Sequence, residues 1–303
     1  MKRKKLVIIL IIVICIIGIV GLIVWKNLNK SETQNDNTTK IVTSFYPMYI
    51  IAENITDGAE NIELENMADV NVGCLHDYTL TTEDMKKLEN ADIFIINGLG
   101  MESFIDKALS SNQEMQIIDS STNIQNLISD EDEINAHLWT SIEKYITQVE
   151  NVTGGLKANN PENAEIYEKN ANQYIEKLEQ LRERYLSELE GLKGKKAICL
   201  NEAFEYMGQE LGLEMTTVET DHEESTMSAE MLRSIIDEAK AENIEMIIID
   251  KNDNKANAET IANETGTTIY ELNSGLSGSM DKDAYVNAME ENLVRFGDRS
   301  LSE

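Results

Sequence analysis

The sequence predicts an α/β protein of two lobes, each a mostly parallel sheet flanked by helices, joined by one long rigid helix and preceded by an N-terminal transmembrane anchor. Three observations carry this expectation. From Ile41 onward, short apolar runs alternate with amphipathic stretches of helical period, the pattern of parallel strands joined by crossover helices. Between Pro161 and Leu192 that alternation stops and apolar residues recur three and four apart. Ahead of both, Leu6 to Trp25 is an unbroken apolar run, sufficient to span a bilayer.

Taken in order, residues 1–5 are a basic tail, and Lys2, Arg3, Lys4 and Lys5 are expected to stay cytoplasmic. Residues 6–25 then read as a signal anchor. The run exceeds the signal-peptide core of about 7–15 residues, and no small-x-small cleavage site follows it. Cys15 is preceded by the bulky Val13 and Ile14, where a lipoprotein signal wants a small residue, so lipidation is not expected. Residues 26–40, "KNLNKSETQNDNTTK", are polar and without period, a flexible linker to a domain on the extracytoplasmic side.

The N-terminal lobe is expected over 41–155, with "KIVTSF" before "PMYIIAENIT", "ADIFIING" before "MESFIDKAL", and then "MQIIDSS". The linking helix, 156–192, has Ala164, Tyr167, Ala171, Tyr174, Leu178, Leu181, Tyr185 and Leu189 on one face. Pro161 suits its first turn, and Gly191 and Gly194 suit its exit. In the C-terminal lobe, 193–303, "KKAICLNEAF", "LEMTTVET", "IEMIIID" and "TTIYELN" are strand-forming runs separated by helical patterns. One large doubly wound sheet with an inserted helix fits the same pattern. In either arrangement a ligand belongs outside the carboxyl ends of the strands, and two lobes can turn those ends toward each other across a cleft.

The 303 residues hold 26 Lys and Arg against 55 Asp and Glu, a formal net charge of −29. Nucleic acid is disfavoured, because a phosphate backbone needs a basic face. An acidic surface concentrates cations, although a merely solvated surface is the more common reason for such a charge. Cys74 and Cys199 fit no CxxC metal pattern; export permits a disulfide between them, and two buried thiols are as compatible with the sequence.

The chain has three histidines, all in loops leading into helices. His76 precedes "TTED", where Thr81 and Asp84 have capping-box spacing. His137 precedes a similar Thr140 and Glu143, and His222 follows the strand "EMTTVET". Imidazole suits zinc and other borderline first-row cations, and three imidazoles with one carboxylate make a closed four-coordinate shell. Candidate carboxylates are Glu202, Asp250, Asp221 and Glu223. "DHEE" lacks HExxH spacing, "NGLG" lacks the third glycine of a nucleotide fingerprint, and "NSGLSGS" supplies no GxSxG elbow.

The strings "TSFYPMYIIAENITDG" and "HDYTLTTEDMKKLENADIFIINGLGMESFID", then "HLW" and the long helix, resemble the metal-specific (zinc/manganese) solute-binding proteins of bacterial ABC importers. The resemblance covers Ile41 to the C-terminus and implies two α/β lobes with the metal held between them. It places His76 on the first family ligand and His137 on the second, with Ala136 where proline is usual. The third falls on Asn201, next to Glu202, and the fourth on Asn273 in "ELNSG". Asparagine brings no charge and binds transition metals weakly, so His222 is expected to replace the missing imidazole, with Glu202 or Glu223 closing the shell. Cys74 and Cys199 lie two residues before His76 and Asn201, and a structural role is preferred to a soft-ligand role for both.

The function this implies is extracytoplasmic capture of a divalent transition metal, Zn(II) before Mn(II), by a monomer that delivers it to an ABC importer permease, with no catalysis. Two other readings are a zinc-dependent hydrolase and an adhesion or scaffold protein that keeps the fold without metal.

Overall fold

A computed structural model describes residues 38–76, 78–130, 133–218 and 227–297. The apolar run 6–25, expected to be a membrane anchor, lies outside the described residues together with its basic tail and linker residues 26–37. Among the described residues no helix is long and apolar enough to cross a membrane.

The first sheet is built by β1 (Thr39–Thr43), β2 (Ile62–Asn66), β3 (Ile93–Ile96) and β4 (Gln116–Asp119), all parallel, in the order β2-β1-β3-β4. Covered on both faces, the central strand β3, "IFII", is apolar and wholly buried, and its neighbour β1 buries Ile41, Val42 and Thr43. The edge strand β2, "IELEN", instead alternates half-buried with exposed residues. Its connections are α1 (Tyr46–Thr56), α2 (Thr82–Glu89) and α3 (Ile105–Ser111). The expected capping box is present: Thr81 caps α2 through the Asp84 N–H, and the Asp84 carboxylate accepts from the Thr81 N–H at 2.7 Å.

After β4 the chain forms a small antiparallel hairpin, β5 (Ser129–Asp130) with β6 (Glu133–Ile134). A single turn over Leu138–Thr140 leads into α4 (Ile142–Asn159), and another over Pro161–Asn163 into α5 (Ala164–Glu188). The long helix expected between Pro161 and Leu192 is α5, and the expected linking segment 156–192 also takes in the last residues of α4. The cap of α4 is Ser141, whose Oγ accepts from the Lys144 N–H at 3.3 Å, one residue later than the Thr140 spacing suggests. The Glu143 N–H turns instead to the Glu210 carboxylate. On α5 the predicted stripe is buried at Tyr167, Ala171, Tyr174, Leu178, Leu181 and Tyr185, packed against α4 and α1.

The second sheet takes β7 (Lys196–Cys199), β8 (Glu214–Thr217), β9 (Met246–Asp250) and β10 (Thr268–Leu272), all parallel, in the order β10-β9-β7-β8. Helices α6 (Glu205–Leu211), α7 (Ala229–Glu242), α8 (Ala256–Thr265) and α9 (Ala284–Gly297) flank it. The two sheets are separate, which decides against one continuous doubly wound sheet.

More than the long helix joins the lobes. One apolar core runs from Ile41 and Phe45 through Trp139 and Tyr174 to Leu272 and Phe296. Trp139, fully buried, donates its indole N–H to the Ser274 carbonyl at 2.8 Å, and the Tyr285 hydroxyl donates to the Trp139 carbonyl at 2.8 Å. Tyr285 also stacks on Tyr145 with ring centroids 3.7 Å apart. At the far side, Tyr46 donates to the Ser279 carbonyl and Asn54 to the Lys282 carbonyl. Buried polar groups satisfied across a boundary tie the halves into one packed unit.

Candidate metal centre

The loops leaving β2 and β4, the two edges of the first sheet, fold back over its carboxyl end and meet there. Their geometry is fixed by a buried polar network together with the apolar anchors Leu75, Ala136 and Trp139. The Asn97 side chain, at the exit of β3, donates to the Ala136 carbonyl at 2.8 Å and accepts from Gln148 at 2.9 Å. Ser120 donates to the Asn97 carbonyl at 3.0 Å and accepts from Gln148. This network holds the segment carrying His137. Tyr78, two residues after His76, donates to the Asp84 carboxylate at 2.8 Å and so pins the other loop to the cap of α2. Burial, with Asp84 beside it, pushes the Tyr78 hydroxyl up to about 12, so it stays a donor.

The glycine pair of "NGLG" serves this scaffold. Gly98, Leu99 and Gly100 all have positive φ, and the Glu102 carboxylate accepts from the Asn97 and Gly98 N–H groups at 2.8 and 3.1 Å. The amides a phosphate would use are already occupied by a carboxylate. Burial pushes the Glu102 carboxyl up to about 7, against the lowering effect of those hydrogen bonds.

His76 and His137 come together, with ring centroids 5.3 Å apart. Both belong to the N-terminal lobe, which brings them together by itself. His137 is buried against Trp139, ring centroids 5.1 Å apart, and its Nδ1 lies 2.9 Å from the Asn135 side-chain oxygen. The same oxygen accepts from the His137 backbone N–H at 2.9 Å. An amide oxygen only accepts, so Nδ1 carries the proton and Nε2 presents its lone pair. That Nε2 lies 3.4 Å from the Cys74 sulfur. The Nε2 of His76 is buried and has no hydrogen-bond partner among the described residues. One donor atom from each of Cys74, His76 and His137 lies within 4.8 Å of the others.

Glu202 is brought to the same place by a turn at the exit of β7, but on the opposite edge of the imidazole: its carboxylate is 3.8 Å from His137 Nδ1 and lies outside that three-residue group. Asn201 caps this turn through the Ala203 N–H and donates to Asp253; Asn273 is spent on the Gly275 N–H and Glu291. Both asparagines at the family's later ligand positions are thus committed to loop structure. Asp250 accepts from the Asn252 and Ser274 N–H groups in the same manner. His222, Glu223 and Asp221 lie outside the described residues. Cys74 and Cys199 form no disulfide; Cys199 is buried, donates to the Asn201 carbonyl at 2.9 Å, and burial pushes its thiol up to about 12.

Asn135 carries no sequence signal of a functional role. Its side-chain nitrogen donates to the Glu202 carbonyl at 3.0 Å and to the Glu205 carboxylate at 2.7 Å. The Tyr206 hydroxyl donates to the Asn135 carbonyl at 2.8 Å and accepts from the Ile128 N–H. One residue thereby orients the His137 imidazole and fastens it to the C-terminal lobe.

Two parallel-sheet lobes with an imidazole pair seated at the carboxyl ends of the strands make this a two-lobed α/β protein with a candidate metal centre. Relatives of the chain narrow the class. Residues 41–298 match the family described as zinc-uptake complex component A, periplasmic (ZnuA), and the chain belongs to that family. It is 28% identical to the high-affinity zinc uptake system protein ZnuA of Bacillus subtilis, over 86% of this chain and 87% of that one. It is 27% identical to the zinc-binding lipoprotein AdcA of Streptococcus pneumoniae over 87% of this chain, and it spans only 56% of that relative's length. Among solved structures, FpvC of Pseudomonas aeruginosa in complex with Ni2+ superposes with a TM-score of 0.77 at 26% identity, covering 88% of this chain and 99% of that one. Zn(II)-bound AdcA gives 0.73 at 26% identity, covering 86% of this chain and 57% of the other.

Proposed function

We propose that this protein captures a divalent transition metal outside the cytoplasmic membrane, zinc before manganese, and hands it to the permease of an ABC importer. The observation that carries the reading is the His76 and His137 pair: a buried imidazole nitrogen without a partner among the described residues faces a second imidazole whose tautomer is fixed to present its lone pair. Desolvating such nitrogens without a partner is costly, and a bound cation repays that cost. The formal charge of −29 favours cation encounter over any anionic ligand.

His76 and His137 are the primary ligands in this reading, and His222 with Glu223 supplies donors from the segment that follows Val218, whose N–H bonds to the Cys199 carbonyl at the exit of β7. Glu202, on the Nδ1 edge, steadies His137 and reaches the ion only by turning its carboxylate around the ring. Leu6 to Trp25 tethers the domain to the membrane as an uncleaved span, the protein works as a monomer, and rearrangement on docking to the permease loosens the shell. No bond-breaking step belongs to this function.

The test is metal content and calorimetric titration of zinc and manganese into the full chain in detergent. One zinc per chain is expected, with affinity reduced to a similar degree by His76→Ala and His137→Ala. Protein that binds neither ion overturns the proposal.

A further inference from the structure

The donor set at the centre contains one member that the family ligand positions do not include. Cys74 sits in the same loop as His76, half-buried between the fully buried Leu75 and Met101, its sulfur 3.5 Å from the Met101 sulfur and 3.4 Å from His137 Nε2. A tetrahedral zinc ion with Zn–S of about 2.3 Å and Zn–N of about 2.05 Å needs sulfur and nitrogen about 3.6 Å apart. The pair is already close to that separation, and all three donor atoms fall within 4.8 Å of one another. At the other end of the cleft the two positions that should bring further donors are Asn201 and Asn273, both committed to their own loops.

We propose that Cys74 is a direct metal ligand, joining His76 and His137 as the sulfur-containing part of the shell that the N-terminal lobe supplies, and that this sulfur sets the preference for zinc over manganese. The proposal rests on the metal-capture reading above. As the metal–sulfur bond forms, the thiol proton is released to solvent, and the hydrogen bond between Cys74 and His137 is exchanged for two bonds to one ion. Thiolate is a soft donor that favours Zn(II) and Co(II), whereas Mn(II) takes hard oxygen donors. Replacing the sulfur should therefore cost zinc much and manganese little. Outer-shell partners alone change metal affinity about 10- to 100-fold, so a direct ligand is worth at least that much for zinc.

The experiment loads the full chain in detergent with Co(II) and reads two regions of its spectrum. Visible ligand-field bands report that cobalt is bound, and a near-ultraviolet sulfur-to-cobalt charge-transfer band reports that sulfur is a ligand. Wild type should show both; Cys74→Ser should keep the visible bands, lose the charge-transfer band, and lose roughly 100-fold in zinc affinity with manganese little changed. Cys199→Ser and Cys15→Ser should keep the charge-transfer band. Zinc X-ray absorption on the unmutated protein gives a second reading, a sulfur shell at about 2.3 Å. Visible bands without charge transfer in the wild type, or a charge-transfer band that survives Cys74→Ser, overturn the cysteine proposal and leave metal capture standing. Absence of visible bands altogether removes both.

Discussion

Asn135→Ala separates the orientation of the metal site from its ligands. The substitution removes four hydrogen bonds: from the His137 N–H and Nδ1 to the side-chain oxygen, and from the side-chain nitrogen to the Glu202 carbonyl and the Glu205 carboxylate. Asn135 is half-buried, so water can reclaim part of these groups, and a loss of about 2–3 kcal/mol in stability is expected. The metal effect is distinct. Without a fixed acceptor at Nδ1 the His137 ring exchanges tautomers, and Nε2 carries the proton for part of the time. Loss of such an orienting partner weakens metal binding by about 10- to 100-fold, or about 1.4–2.7 kcal/mol. Zinc calorimetry on the full chain gives the affinity, and nitrogen-15 NMR of the imidazole gives the tautomer. An affinity within about twofold of wild type, or a ring that keeps its proton on Nδ1 without Asn135, would refute the reasoning.

Other consequences follow from the scaffold. Gly98→Ala places a Cβ 2.1 Å from the Asp119 carboxylate at a φ of +89°, and should cost about 2–4 kcal/mol in denaturant unfolding through strain and crowding. Trp139→Phe leaves the Ser274 carbonyl without its indole donor in the core between the lobes, and a loss of about 2–4 kcal/mol is expected from the denaturation midpoint. Burial raises the Glu102 carboxyl from 4.5 to about 7, so its contribution to stability is fully present below pH 4.5 and is lost as pH rises through about 7. The change is about 3 kcal/mol, and unfolding curves between pH 4.5 and 8 should lose that slope in Glu102→Gln.

Much of this architecture is legible in the sequence because parallel strands buried on both faces are apolar runs such as "IFII" and the "MIII" that leads to Asp250. The edge strand β2 is not, because "IELEN" puts a glutamate at every second position, which the half-exposed edge tolerates and a core strand would not. The end of helix α4 is hard to read because two glycines, Gly154 and Gly155, interrupt its second half, and Ile118 lies against the space a Gly155 side chain would fill. His76 and His137 are legible as loop residues ahead of capping signals. What no local pattern can supply is that Asn135 meets Glu205 across 70 positions and Cys74 meets His137 across 63. Such pairings depend on how strand exits are distributed along a sheet edge, and sequence period carries nothing about that.

The N-terminal lobe assembles the imidazole pair by itself, and the C-terminal lobe contributes the Glu202 turn that backs it. The continuous core and the Trp139, Tyr285 and Tyr206 hydrogen bonds make large hinge motion costly.

Anomalous diffraction at the zinc edge from crystals of the zinc-loaded protein addresses the central claim most directly. The prediction is a single peak about 2.0–2.1 Å from Nε2 of both His76 and His137. A zinc ion bound by only one of these rings, or seated at a distance from both, would contradict the account.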